Sequence, residues 1–294
     1  MSVGKTLRPW LELVRLPAVF TAPSDVLAGT ALAAVVGASV GVVPAALLVV
    51  ASALIYCAGM AANDLCDAAV DAQERPKRPI PSGRVSVRGV WTLVLVLQAA
   101  GISIASLVGR DAALATAATV AATWLYNGVL KNTPIGPFAM GLCRYGNALI
   151  GLSIAGLPAL GLVWAVPLST LLYVSAVTFV SRHEAHGTTT QRLRPVATAL
   201  MALAAGPAAW ALILPMPWAG LGVLLPLWWL QGPAHKALAN PTPGPVRGLV
   251  MAGIYGIAMV NGVLAALAGG WIQAAVAVGL LVPGKLFGRW FYAT

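Results

Sequence analysis

Acidic side chains are scarce in this chain. Asp and Glu supply eight of 294 residues, and with the 18 Lys and Arg they make only 26 charged side chains. Soluble domains keep roughly a quarter of their residues charged, so a charged share of 9% beside a hydrophobic share of 59% excludes a water-soluble globular surface. Cysteine is scarcer still. Cys57, Cys66 and Cys143 lie inside or at the edge of apolar segments, at spacings that give neither a disulfide framework nor a metal cluster, and are read as packing residues. The net charge of +10 does not point to nucleic acid, because the basic residues are scattered between apolar runs rather than gathered in a basic domain. The opening MSVGKTLRPWLELVRLP is basic and amphipathic, without a separate short apolar core and cleavage site, so no cleavable signal is expected.

What the chain has in abundance is long apolar runs, several of them near the roughly 20 residues that cross a bilayer. Ten segments are expected, at 18–38, 42–62, 89–109, 112–129, 135–157, 160–181, 195–214, 217–234, 246–268 and 270–288. Turn residues and charges separate them: Pro44, the Gly109-Arg110-Asp111 corner, Pro158, Pro215 with Pro217, and NPTPGP at 240–245. The eighth is the weakest, since GPAH interrupts its end. The expected fold is all-α, a polytopic membrane helical bundle of about nine to ten transmembrane helices, forming one domain over residues 1–294. With the N-terminus placed in the cytoplasm, 16 of the 18 Lys and Arg fall on the inner side; Arg110 lies outside and Arg144 within a span. That bias predicts both termini inside and the polar chemistry at one membrane face.

Against this background, residues 61–86, AANDLCDAAVDAQERPKRPIPSGRVS, hold four of the eight acids. On a helix, Asn63, Asp64, Asp67 and Asp71 project at about 0, 100, 40 and 80 degrees, so all four share one arc. Three carboxylates on one arc repel unless a cation lies between them, and hard oxygen donors suit Mg²⁺ completed by substrate phosphate oxygens. A solvated helix end is the plainer reading. It leaves unexplained why the acids begin at the end of an apolar run, where ionised groups are costly and usually functional. Arg75, Lys77, Arg78 and Arg84 follow at once and could neutralise phosphate oxygens, while Pro76, Pro79 and Pro81 prevent a continuous helix.

The run NDxxDxxxD followed by RPxRPIPSGRVS resembles the first aspartate-rich motif of the UbiA superfamily of intramembrane prenyltransferases. VRLPAVFTAPSDVLAG resembles that family's first helix, and YNGVLKNTPIGPFAMGLCRYGNALIG continues the likeness, so it covers most of the chain. RLPAVFTAPSDVLAG, the CRYGN segment and the tenth helix look closest to the EboC-like branch, although the family is commonly nine-helical. The resemblance implies a bundle around a central cavity that opens to the cytoplasm and laterally to lipid, with Mg²⁺ and an isoprenoid diphosphate at the polar cap and the prenyl tail in an apolar tunnel. It assigns Asn63, Asp64, Asp67 and Asp71 to metal and diphosphate, Arg75 and Arg78 to the basic continuation, and Lys131, after Tyr126 and Asn127, to the diphosphate.

One departure stands out. Where the family carries a second aspartate-rich motif, this chain reads YVSAVTFVSRHEAHGTTTQRLRP, with Glu184 as its single carboxylate beside Arg182, His183 and His186. Glu184 is expected as a metal ligand, or else Arg182 and a histidine replace metal charge with their own, and His183 or His186 could accept a proton; a polar loop after a helix is the plainer reading. A zinc site is not expected, with no cysteine or third histidine nearby in the sequence. Arg144 and Asn147 share a helix face in an apolar span and are expected to bind substrate, with a structural pairing of Arg144 and Asp25 as the alternative. Asp25 and Ser24 could also touch an acceptor. Tyr56 and Tyr126 are expected in the wall of a cation-stabilising cavity, and Trp228, Trp229 and Trp271 in interfacial belts.

The expected activity is Mg²⁺-dependent transfer of a prenyl group (an alkyl group other than methyl) from an isoprenoid diphosphate to a small acceptor. Two alternatives are a UbiA-type terpene cyclase and a non-catalytic carrier of a lipid diphosphate. The expected setting is the bacterial plasma membrane, with the site facing the cytoplasm.

Overall fold

A computed structural model describes residues 3–157 and 161–291 of the chain. The Pro158 turn and the Lys5 side chain lie outside the described residues. In chain order the helices are α1 Val3–Leu13, α2 Leu16–Val19, α3 Ala22–Val35, α4 Val42–Cys66, α5 Ala68–Glu74, α6 Val87–Val108, α7 Arg110–Leu125, α8 Gly136–Leu152 and α9 Leu168–Ser181. They continue as α10 Thr190–Ala204, α11 Leu224–Ala239, α12 Pro243–Leu267, α13 Trp271–Gly279 and α14 Leu281–Phe291. Among the described residues, nine helical stretches are long and apolar enough to cross a membrane. Helices suit such residues because every backbone polar group finds a partner within its own segment.

The eighth expected span behaves differently. A 3₁₀ stretch, Pro217–Val223, runs into α11, but Gln231, Pro233, His235 and Lys236 make this helix less apolar than the nine. It still retraces α10 along its length: Thr190 Oγ1 donates to Leu238 O at 3.1 Å at one end, and the 3₁₀ stretches Gly206–Leu212 and Pro217–Val223 pack together at the other. The last expected span is divided at Leu280 into α13 and α14.

Helix α12 is the hub, packed against α3, α9, α11 and α13. Around it α3 lies on α8, α8 on α9, and α4 on α6. Helices α3 and α8 meet backbone to backbone. A Cβ on Gly29 would collide with Ala148 O, and one on Gly151 with Val26 O. Without a hydrophobic drive between helices in lipid, such small-residue contacts supply the packing. This contact carries Asp25 of α3 to Arg144 of α8.

One end of the bundle gathers the charge. Arg84 Nη1 lies 2.7 Å from Glu12, Lys131 pairs with Asp67, Arg182 Nη2 reaches Thr133 O at 2.5 Å, and Arg247 Nε lies 3.6 Å from Glu184. At the other end Asp111 Oδ2 accepts from Leu157 N at 2.9 Å.

Candidate active site

The acidic run sits where α4 gives way to α5. Asp67 interrupts the helix with φ −88° and ψ −1°, yet its N–H still reaches Asn63 O at 3.0 Å and its O accepts from Asp71 N at 2.8 Å. The helical projection therefore persists, and the single expected arc resolves into two stripes. Asn63 and Asp67 turn to Lys131, whose Nζ donates to both. Asp64 and Asp71 turn to Arg78, whose Nη1 lies 3.0 and 2.9 Å from their carboxylates. Asp64 and Asp71 are 6% and 3% exposed, so these are sheltered charges in need of cations.

The loop 75–86 is folded so that Arg78 can point back. Its prolines forbid a helix, Gly83 takes φ +70°, and Ser82 N reaches Arg78 O while Val85 N reaches Pro79 O. Ile80 and Val85 then bury in a cluster with Leu13, Ala58, Ala61 and Val90, with Trp10 packed against it. Arg84 serves this loop rather than substrate, contrary to expectation: it donates to Glu12 and to Lys77 O at 2.7 Å each. Arg75 is half exposed and only 3.8 Å from Asp71, so it remains available.

Lys131 is placed by an irregularity. Tyr126–Leu130 is a π-helical turn, with Lys131 N donating to Tyr126 O at 2.8 Å across five residues. The extra residue aims Lys131 at α4, and Asn127 Nδ2 ties the turn to Gly59 O at 3.3 Å.

Beneath the charged pairs lies a cavity of about 60 Å³ lined by Tyr56, Met60, Thr123, Tyr126, Met140 and Arg144, among others. Met60 is one turn from Asp64 and Asn127 one turn from Lys131, so the cavity opens directly below the acids. Tyr56 and Tyr126 stand in its wall, as expected. Cys143 also lines it, whereas Cys66, expected to pack, is exposed.

Four expected residue roles meet other partners in the structure. Arg144 reaches neither Asp64 nor the acidic mouth; its Nη2 donates to Asp25 Oδ1 at 3.1 Å and Thr21 O at 2.7 Å. Its Nε is 2.9 Å from Asp25 Oδ2, a charge contact without hydrogen-bond alignment. Asn147 donates to Asp25 Oδ2 at 2.9 Å, so it braces the same fully buried carboxylate. Glu184 pairs with Arg247, and no described contact joins it or His183 to the first-motif carboxylates. Its helix end does approach the site, because Arg182 donates to Thr133 O, two residues from Lys131, while lying over the Phe179 ring. Finally, Trp229 turns its ring nitrogen inward, its Nε1 donating to Ala252 O at 2.9 Å, while Trp228 and Trp271 are exposed.

Sequence reasoning missed two residues. Arg15, counted only as an inner-face charge, lies 3.6 Å from Asp64, presented from a left-handed backbone at φ 50°. Asn261 of α12 donates to Asp25 Oδ1 at 2.6 Å and to Ser24 Oγ at 2.9 Å. A lone buried polar residue in an apolar helix was the available signal for Asn261; Arg15 heads the RLPAVFTAPSDVLAG stretch, which carried a resemblance but no role for it.

The donor set fits Mg²⁺. Two oxygens converge on each of two points, both now occupied by a cationic side chain, leaving further positions to water and phosphate oxygens, as Mg²⁺ prefers. Among the described residues no three of His, Cys, Asp and Glu enclose one point, so the protein forms no closed cage.

Residues 26–243 match the UbiA prenyltransferase family. A digeranylgeranylglyceryl phosphate synthase of Methanopyrus kandleri is 37% identical over 150 residues, 49% of this chain and 54% of that one. The bacteriochlorophyll synthase 33 kDa chain of Rhodobacter capsulatus is 36% identical over 117 residues, 38% and 34% of the two chains. The match thus spans about half the length, or less, of these relatives. Among solved structures, an apo UbiA homolog from Aeropyrum pernix K1 aligns with a TM-score of 0.62 at 18% identity, over 87% of this chain and 96% of that one. A UbiA homolog from Archaeoglobus fulgidus bound to GPP and Mg²⁺ aligns with a TM-score of 0.59 at 16% identity, over 87% and 99%. These likenesses support the family and its fold, and do not support the narrower EboC-like placement.

Proposed function

The chain belongs to the UbiA prenyltransferase family, and from that premise we propose that it transfers a prenyl group from an isoprenoid diphosphate to an acceptor within the membrane, with Mg²⁺. The observation that carries this reading is the pair of oxygen-donor sites, each closed on a cation, directly above an aromatic-walled cavity. The solved relative bound to GPP and Mg²⁺ supports it.

Asn63, Asp64, Asp67 and Asp71 would hold the metal, which when bound supplies positive charge to the diphosphate oxygens. The chain's own cations do the rest of the binding. Lys131, Arg78 and Arg15 surround the mouth, and Arg75 is free enough to join them. As the C1–O bond breaks, its electron pair leaves with the diphosphate, where these cations stabilise the growing charge. The allylic cation is left in the cavity that Tyr56 and Tyr126 line, mostly among apolar side chains. An acceptor lone pair then bonds to C1, and the acceptor's proton passes to the released diphosphate.

Relatives named digeranylgeranylglyceryl phosphate synthase make glyceryl phosphate lipids the first acceptors to try. One observation favours the cyclase as a second reading: Arg144 and Asn147, polar groups of the cavity wall, are already bound to Asp25. The 16 of 18 basic residues that fall on one side when the N-terminus is set in the cytoplasm support a site facing the cytoplasm, with a plasma membrane as its setting. Incubation of purified protein with geranylgeranyl diphosphate, Mg²⁺ and a glyceryl phosphate lipid, followed by mass analysis, tests the reading. Transfer predicts an adduct heavier than the acceptor by one geranylgeranyl group less the hydrogen it replaces. A hydrocarbon formed equally well without acceptor would replace transfer by cyclisation.

A further inference from the structure

A second charged recess lies outside this site, between the start of α12 and the end of α14. It is an open notch of about 300 Å³ lined by Arg247, Met251, Tyr255, Lys285, Gly288 and Arg289. We infer that this notch binds the phosphate headgroup of an anionic membrane lipid.

Three features of the recess agree on this ligand. The first is charge: three cations face the recess, and among the described residues the one carboxylate in contact with any of them is Glu184, 3.6 Å from Arg247. Lys285 and Arg289 have no carboxylate partner among the described residues. The second is preparation. Lys285 Nζ is held 3.9 Å from the centre of the Trp229 ring, and the Tyr255 hydroxyl is tied to Gly284 O at 3.3 Å, bracing α14 against α12. The cations therefore stand on a fixed frame.

The third is the surface beside them. At about 100 degrees per residue, Lys285 and Arg289 project at about 0 and 40 degrees on α14, and Val282, Leu286 and Trp290 at about 60, 100 and 140 degrees. Those three apolar side chains are 61%, 44% and 63% exposed. An exposed apolar stripe on the last spanning stretch, running beside a cationic notch, matches a lipid with its chains on the helix and its headgroup in the notch. A soluble anion would have no use for the stripe. The notch is on the same membrane face as the acidic site, since Glu184 follows Arg182, which contacts Thr133 in the loop after Lys131. Basic pockets between helices at such a face are the usual receptors of anionic headgroups.

The inference does not depend on prenyl transfer. It is tested by titrating dioleoylphosphatidylglycerol, dioleoylphosphatidylcholine or inorganic phosphate into the detergent-solubilised, delipidated full chain and following bound ligand by native mass spectrometry. One phosphatidylglycerol should be retained in preference to phosphatidylcholine. Arg289→Gln, which removes no described ion pair, should weaken it about fivefold, and adding Lys285→Gln about fivefold more. Arg110→Gln at the opposite face should leave it unchanged. Equal retention of the two lipids, undiminished binding in Arg289→Gln, or occupancy by inorganic phosphate at the same concentration would overturn the assignment.

Discussion

Arg15 occupies a left-handed backbone position that glycine would take without strain, yet it carries a guanidinium to within 3.6 Å of Asp64. Such strain in a non-glycine residue persists where the surroundings demand it, often at functional sites. Comparing Arg15→Gly with Arg15→Ala separates backbone from charge. Both should raise the KM for diphosphate alike, while the glycine variant should be more stable than the alanine variant by about 1 kcal/mol, read by thermal unfolding. Asp25 makes the opposite case, a fully buried carboxylate held by Arg144, Asn147 and Asn261. Asp25→Ala leaves the Arg144 charge buried without its partner and should destabilise the protein by about 3 kcal/mol. Asp25→Asn, which keeps the acceptor oxygen, should destabilise it less. The sequence made Asp25 and Arg144 visible as ions in apolar runs, but the identity of their partners depended on a close approach of α3 and α8 that no local pattern encodes.

At the scale of elements, the acidic run was legible because a helix fixes angles. The expected projections of about 0 and 40 degrees for Asn63 and Asp67, and about 100 and 80 for Asp64 and Asp71, are the two stripes that Lys131 and Arg78 bind. The π-helical turn at Tyr126–Leu130 was not legible, because its extra residue is absorbed by hydrogen bonding rather than by composition. Inserting an alanine after Gly128 adds a residue that this turn, already wider by one, has no bond to absorb, and should swing Lys131 by about 100 degrees. The variant should remain folded by thermal unfolding but lose Mg²⁺-dependent diphosphate release. Full activity in a folded insertion variant would show that the placement of Lys131 is unimportant. The end of α9 was half legible: its polar cap does come near the Lys131 loop, but through Arg182 rather than Glu184 or His183.

For the whole molecule, the apolar runs announced the bundle, and the distribution of Lys and Arg announced which end would hold the chemistry. The structure collects at one end the ion pairs Arg84–Glu12, Lys131–Asp67 and Arg247–Glu184, drawn from six separate stretches of chain. The less apolar helix of Pro217–Ala239 was the hardest to read, because its span follows from pairing with α10 rather than from its own composition. Orientation has a direct check. Cys66 is exposed at the charged end, so a membrane-impermeant maleimide should label it in inverted vesicles and not in right-side-out ones; the reverse pattern would invert the proposed topology. The central claim is that the paired acids hold a metal and a diphosphate for bond cleavage. Its most direct test is diphosphate release from geranylgeranyl diphosphate by the purified protein and by Asp67→Asn, with and without Mg²⁺. The account predicts release by the unaltered protein only with Mg²⁺, and a fall of roughly a hundredfold in Asp67→Asn. Tight Mg²⁺-dependent binding without release, or release undiminished in Asp67→Asn, would contradict it.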